Sequence, residues 1–378
     1  MFHVFSALIA FYVIWRLVCP LPWSKVGRGL SAVVVLLISQ HHLINRNFFG
    51  TMASPEIPFL VLAVLGWAFG SLIFVAALFL IKDLVALLLF PFQRTISRAL
   101  LTTPSLRYGT AALGMIAAAI GVAEAVRIPS VKTVEIEVRG LPQAFDGFRL
   151  VQLTDLHASR LLEAPWMQAV VDKTNALNPD MIVITGDLID GTVQARAADI
   201  LPLRSLRADH GVYAIPGNHE YYADYVSWMD AFERLGLPML RNAHVRIARD
   251  DADIVLAGIT DRVADTFSQA SPDVLAALEG VADTDSVILL SHRPPGAALN
   301  AALGVDLQLS GHTHGGQIWG GHLLTKWANE GYVSGLYEVN GMQLYVSHGA
   351  GLWNGFPLRL GQRSEITEII LRPVIAKP

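Results

Sequence analysis

Cysteine is almost absent from this 378-residue chain, and Cys19, the only one, lies in an apolar N-terminal run. That excludes a disulfide framework, a thiolate metal site and a cysteine nucleophile. Charge is also scarce: 28 Lys and Arg stand against 32 Asp and Glu, a net charge of -4. Without a basic excess nothing points to a surface that neutralises many phosphates, so no nucleic-acid partner is expected. The sequence has no internal repeat and no low-complexity segment. A cleaved signal peptide over the first apolar run is disfavoured, since no basic residue precedes it and no twin arginine occurs. What the chain has in excess is hydrophobic residues, 53% of the total, more than a soluble globular protein normally carries.

The excess is concentrated in the first third. Ile57 to Ile81 carries no charge and is long enough to cross a bilayer core of about 30 Å as a helix. Phe2 to Val18, Leu30 to Ile44 and Tyr108 to Val126 are further spans, the last rich in the Ala and Gly that let membrane helices approach closely. Gln40, His41 and His42 weaken the second, and Leu84 to Phe92 either prolongs the third or lies at the interface. Residues 1–128 therefore read as an all-α transmembrane region of about four helices. Lys25 and Arg28 follow the first span, and Lys82, Arg94, Arg98 and Arg107 separate the third from the fourth. By charge bias those loops face the cytoplasm, which puts the remainder of a multi-pass bacterial inner or plasma membrane protein on the outer side; Arg127, Lys132 and Arg139 pull the other way.

Residues 129–378 change to the composition of a soluble α/β domain. Expected strands are Val131 to Val138, Phe148 to Leu153, Met181 to Ile184, Val212 to Ile215, Ile254 to Ala257, Val287 to Leu290, Leu307 to Leu309 and Leu344 to Val346. Pro165 to Leu177 and Tyr225 to Leu235 read as amphipathic helices, and Ser271-Pro272-Asp273 as a helix start capped by Ser.

Five strand ends run into polar residues: Asp155-Leu156-His157, Gly186-Asp187, Gly217-Asn218-His219-Glu220, His292, and Gly311-His312-Thr313-His314. The carboxyl ends of strands in an α/β sheet are where loops converge on a crevice. Carboxylate, amide oxygen and imidazole without sulfur suit hard or borderline divalent metals. Asp155, His157, Asp187, Asn218, His292, His312 and His314 are too many for one tetrahedral ion but suit two ions sharing a carboxylate, for which Asp187 is the natural bridge. Each piece alone is ordinary loop chemistry; five in order at strand ends are not. His3, His41, His42, His210, His244 and His322 lack such context, and His348 reads as structural rather than ligating.

These motifs, Asp-x-His, Gly-Asp, Gly-Asn-His-Glu, a lone His and Gly-His-x-His, resemble in order those of the calcineurin-like metallophosphoesterase family, over roughly Phe148 to Leu371. Gly311 to Gln317 and Gly361 to Glu368 are similar to the branch that joins this domain to N-terminal membrane helices. The resemblance implies a four-layer α/β/β/α sandwich. It implies one metal on Asp155, His157, Asp187 and His314, and a second on Asp187, Asn218, His292 and His312. The ions, Mn, Fe, Zn or Co, would activate water for in-line attack on the phosphorus of a phosphate mono- or diester or a pyrophosphate. His219, an imidazole left without a metal, is assigned to protonating the leaving oxygen, a contribution of about 10² to 10⁴ fold. Arg160, Tyr221, Tyr222 and Arg293 stand close enough in sequence to hold substrate. Membrane attachment suggests membrane lipid as a partner and a lipid-linked substrate. The competing readings are a metal-dependent amide or lactone hydrolase, disfavoured by Gly-Asn-His-Glu; a catalytically idle metal-binding scaffold, disfavoured by the intact ligand set; and a transporter, disfavoured by spans with little charge apart from Lys82 and Asp83.

Overall fold

The computed structural model describes residues 2–51 and 54–374, so the outer limits of the expected domains, Met1 and Pro378, lie outside the described residues. The chain forms two compact units, Met1–Ala125 with Asn354–Leu360, and Val126–Trp353 with Gly361–Pro378.

The first unit is helical: α1 (Phe2–Val13, prolonged by a π turn over Ile14–Val18), α2 (Lys25–Phe48), α3 (Phe59–Leu89), α4 (Arg94–Thr102) and α5 (Pro104–Ala125). Among the described residues three helices, α2, α3 and α5, are long and apolar enough to cross a membrane, and Phe2–Val18 is a shorter apolar helix. Ser24 caps α2 by accepting from the Gly27 N–H, and the helix runs through Gln40, His41 and His42 because its polar residues turn inward. Ser39, His41, His42 and Asn45 are buried, and His42 Nε2 donates to the Gly355 carbonyl. In α3, Lys82 and Asp83 do not end the helix, because both are satisfied inside the unit. Asp83 accepts from Tyr12 Oη at 2.8 Å and Arg16 Nη2 at 2.7 Å, and Lys82 donates to the Leu100 carbonyl. α3 therefore continues to Leu89, over most of the stretch left open above. Ala10, Val13, Phe69, Leu72, Val75 and Phe79 form the core. Asn354–Leu360 groups with these helices because α3 leaves it room: a Cβ on Gly70 would stand 2.7 Å from Leu358 Cδ1.

The second unit is an α/β sandwich. Its strands are β1 (Ser130–Val138), β2 (Arg149–Leu153), β3 (Met181–Thr185), β4 (Val212–Ile215), β5 (Ala243–Arg249), β6 (Ala252–Gly258), β7 (Val287–Leu290), β8 (Leu307–Ser310), β9 (Gly335–Val339), β10 (Met342–Val346) and β11 (Glu365–Pro373). They make two mixed sheets, ordered β1-β11-β2-β3-β4 and β5-β6-β7-β8-β10-β9. β2, β3 and β4, and likewise β6, β7 and β8, pair in parallel and are mostly apolar because both faces are covered. Leu150, Val183 and Ile369 of one sheet share a core with Leu256, Ile288, Leu290 and Leu309 of the other. On the outer face of the second sheet, Val255, Leu289 and Val346 pack with Ala277 and Ala297 of two short helices. Helix Ala164–Asn175 buries Trp166, Met167, Val170 and Val171. Helix, sheet, sheet and helix give the four layers that the resemblance implies.

Three strands have no counterpart in the sequence reading. β5 and β9 are edge strands whose exposed faces carry charge, and β11 is disguised by Glu365, Thr367 and Glu368, which bond Tyr345 of β10 in the other sheet, Ser347 just after it, and Thr133 of β1. The helix start at Ser271 is also corrected. Asp273 caps the turn Val274–Ala277 by accepting from the Ala276 N–H, while Ser271 Oγ is spent on Asp265.

Candidate metal centre

All seven expected ligands follow the carboxyl ends of β2, β3, β4, β7 and β8, five in loops, Asn218 at the start of the short helix Asn218–Ala223 and His314 at the start of the 3-10 turn His314–Gly316. Asp155, His157 and His314 form one group, Asp187, His292 and His312 a second, and His157, Asp187 and His219 a third that joins them; in each, one ligand atom per residue lies within 4.8 Å of the others. Asp187 belongs to two groups. Its Oδ2 is 3.2 Å from His292 Nε2, 3.8 Å from His157 Nε2 and 3.9 Å from His219 Nε2. Asp155 Oδ1 is 3.4 Å from His314 Nε2 and 3.8 Å from His157 Nε2. Asn218 is buried and follows Gly217, whose Cα packs so closely on Asp187 that a Cβ would not fit.

The backbone here is unusual. Asp155, His157, Asp187, His312 and His314 all have positive φ, between 47° and 66°. Non-glycine residues hold that left-handed conformation only where the surroundings impose it. Gly217 is required for a different reason, close approach: a Cβ there would stand 2.6 Å from the Asp187 backbone nitrogen. Glu220 staples these turns, its carboxylate accepting from the N–H groups of Asp187, Leu188 and Gly217.

Hydrogen bonds aim the imidazoles. His292 Nδ1 donates to the Thr185 carbonyl at 2.8 Å, which points Nε2 toward Asp187, where it can bind a metal once its proton is lost. Asp190 does the same for two rings, accepting from His157 Nδ1 at 3.2 Å and His219 Nδ1 at 2.5 Å. Asp190 was not among the sequence candidates; the only signal for it is a third acid three residues beyond Asp187. Arg293 Nη1 contacts His312 Nε2 at 2.8 Å while its Nε is tied to Asp261.

Charge compensates across the cluster. Burial pushes the carboxyls of Asp155, Asp187 and Asp190 up, yet the imidazoles beside them hold all three below the usual carboxylate range. Burial likewise pushes the His157, His219 and His292 imidazoles down, and the carboxylates override it: all three are raised, His292 to about 9. His312 is lowered by burial and by His292 and Arg293. Burial and the Asp187 charge lift Glu220 to about 7.

The residues fit divalent metal. His157 Nε2, Asn218 Oδ1 and His292 Nε2 are buried ligand atoms with no hydrogen-bond partner, a costly arrangement that a cation removes. The donor set is oxygen and nitrogen, with no sulfur.

The remaining candidates separate. Tyr221 is buried and stacked on Tyr225, which takes it away from substrate, contrary to the sequence expectation. Arg160 lies at the surface against Glu163. Tyr222 and Trp353 flank the His219 ring, at centroid distances of 5.4 and 6.3 Å, and Trp353 had no sequence signal. His348 donates to the Arg363 carbonyl and lies outside the three groups.

Residues 148–316 match the calcineurin-like phosphoesterase family. The chain is 37% identical over 264 residues to a transmembrane protein with metallophosphoesterase domain of Danio rerio, covering 68% of this chain and 60% of that protein. It is 38% identical over 265 residues to the Bos taurus protein of the same description, covering 67% and 59%. The chain thus spans about three fifths of the length of these relatives. With the metallophosphoesterase YkuE of Bacillus subtilis the identity is 35% over 242 residues, covering 61% of this chain and 82% of that protein. The chain belongs to the calcineurin-like metallophosphoesterase family.

Proposed function

We propose that this chain is a membrane-anchored phosphoesterase whose α/β unit uses two divalent metal ions. The observation that carries the reading is the set of three overlapping ligand groups at adjoining strand ends, with buried ligand atoms left without partners. One ion would be held by Asp155, His157, Asp187 and His314, the other by Asp187, Asn218, His292 and His312. Mn, Fe, Zn and Co all suit these donors. When bound, such ions supply an activated water nucleophile and neutralise charge on the phosphoryl oxygens.

The chain's own residues do the rest. Asp190 orients the His219 ring through Nδ1, leaving Nε2 free of that bond and flanked by Tyr222 and Trp353. The carboxylates of Asp187 and Asp190 raise the His219 imidazole despite its burial, which favours its protonated form. It is thereby equipped to protonate the leaving oxygen of a mono- or diester or a pyrophosphate. Arg293, fixed by Asp261 at the edge of the second group, offers a guanidinium to a phosphate oxygen. The three long apolar helices support membrane attachment, and the relatives described as transmembrane agree with it. We assign the α/β unit to the extracytoplasmic side on charge bias, and take a lipid-linked phosphate as the substrate class.

The test is the purified full chain, stripped of metal and reconstituted with each ion, assayed against phosphomonoesters, diesters, pyrophosphates and phospholipids. The expected result is two ions per chain and turnover that chelation abolishes and metal restores. Metal binding without turnover on any ester would leave the idle-scaffold reading standing, and lactone turnover without ester turnover would replace this one.

A further inference from the structure

Beyond His314 the chain leaves the metal centre and forms a helix, Gly321–Ala328, of which no residue is buried. Its large side chains face solvent: Leu323 is 64% exposed, Leu324 74% and Trp327 86%, and Trp319 just before it is 75% exposed. Leu323, Leu324 and Trp327 stand at i, i+1 and i+4, so they share one face. Leu323, Leu324 and Trp327, uncovered on one face and preceded by the exposed Trp319, form a patch that a soluble surface rarely leaves bare. The helix bears one cation, Lys326, and no acid. Tryptophan with leucine on one face and lysine beside it is the pattern of a helix lying in a membrane interface. The indoles sit at headgroup level and the lysine meets anionic lipid.

We propose that Trp319, Leu323, Leu324 and Trp327 insert into the surface of an anionic bilayer. The inference rests on the membrane attachment proposed above. The occupant is a bilayer because the chain itself carries helices suited to one, and because an acid-free face with Lys326 complements anionic headgroups. The consequence for substrate follows from where the helix begins. A Cβ on Gly316 would stand 2.5 Å from the His322 Cα, so the first turn packs on the loop that carries His314. A face seated in lipid at that rim brings phosphate esters of lipids to the metal groups with their acyl chains still in the leaflet.

The test uses the full chain with Cys19→Ser, reconstituted in phosphatidylcholine vesicles with and without phosphatidylglycerol. An environment-sensitive fluorophore is placed by Leu324→Cys, by Val64→Cys on an exposed position of α3, or by Asp209→Cys on an exposed turn. Lipids brominated in the acyl chain serve as quenchers. The expected result is loss of emission at 64 and 324 but not at 209, with the loss at 324 greater when phosphatidylglycerol is present. Quenching at 64 without quenching at 324 overturns the proposal and leaves membrane attachment standing. Absence of quenching at both overturns attachment and the proposal together. Disulfide cross-linking between copies of the Leu324→Cys variant, in place of quenching, assigns the face to a second copy and also overturns it.

Discussion

Asp187→Asn is the most demanding perturbation of the proposed centre, because the change is isosteric and the packing stays. The Oδ1 position can still accept the His219 N–H, which it does at 2.8 Å. Charge is lost at Oδ2, which faces His157, His219 and His292. Loss of a group that merely supports a ligand costs about 10 to 100 fold in metal affinity, so that range is a floor for a direct ligand. Asp187 serves two groups, so occupancy of both ions should fall by the product, about 10² to 10⁴ fold, or about 3 to 5.5 kcal/mol. His314→Asn touches only the group of Asp155 and His157, and should cost the single factor. The assay is metal content by mass spectrometry after dialysis against buffered metal, with turnover measured on the same samples. Melting of the metal-free forms separates a folding defect from a binding defect. Equal losses in the two variants, or two ions retained in Asp187→Asn with turnover intact, would refute the bridging role.

His219→Ala should keep both ions and slow esters with alkoxide-like leaving groups far more than nitrophenyl esters, whose leaving oxygen hardly needs a proton. Equal slowing would reduce His219 to positioning, and loss of metal would make it a ligand of the His157 and Asp187 group. Gly217→Ala puts a Cβ against Asp187 and should cost about 1 to 3 kcal/mol by overpacking, along with metal affinity. Thermal melts with and without metal check this, and an unchanged metal-dependent rise in Tm would count against it. Metal uptake should release protons and tighten as pH rises. His292 is raised to about 9 in the metal-free protein, so its stabilising contribution is fully present below its unfolded value of about 6.5 and is lost as pH rises through 9. Glu220, raised to about 7, does the same over a lower window, from about 4.5 to 7. Calorimetry at pH 7.5 in buffers of different ionisation enthalpy reads the release; heats independent of buffer would contradict it.

The parts of this protein that were legible in advance are those in which chemistry and periodicity coincide. Strands β2, β3, β4, β7 and β8 are short apolar runs ending in polar residues, so the run predicted the strand and its end predicted the rim. The strands missed are those for which burial is supplied from elsewhere. Glu365 and Glu368 of β11 look like surface residues, but Glu365 accepts from Tyr345 of the other sheet and pairs with Lys132, and Glu368 accepts from Thr133 and Arg149 of the adjoining strands, which lets both be interior. The same holds for His42, whose place inside the helical unit depends on Gly355, more than 300 residues later. Asp190 was hidden for a related reason: its role lies in the pairing of His157 and His219, which spacing along the chain does not reveal.

The left-handed backbone at five ligand positions shows how the fold commits itself to the site. Each such residue costs about 1 to 3 kcal/mol and persists only where its surroundings over-determine it. Those surroundings are here: Glu220 holds the Asp187 and Gly217 turns through three N–H groups, and Asp155 accepts from the His312 N–H while Thr154 donates to it. The cost is carried by hydrogen bonds to acids, two of which are themselves ligand candidates or stand beside one. Strain and charge are therefore coupled: the acids that make the turns possible would repel one another unless protons on the imidazoles or metal ions stand between them. In the metal-free protein the raised His157, His219 and His292 fill that role. A centre so arranged keeps its shape by exchanging one set of cations for another, which is why proton release on metal binding follows from the backbone as much as from the ligands.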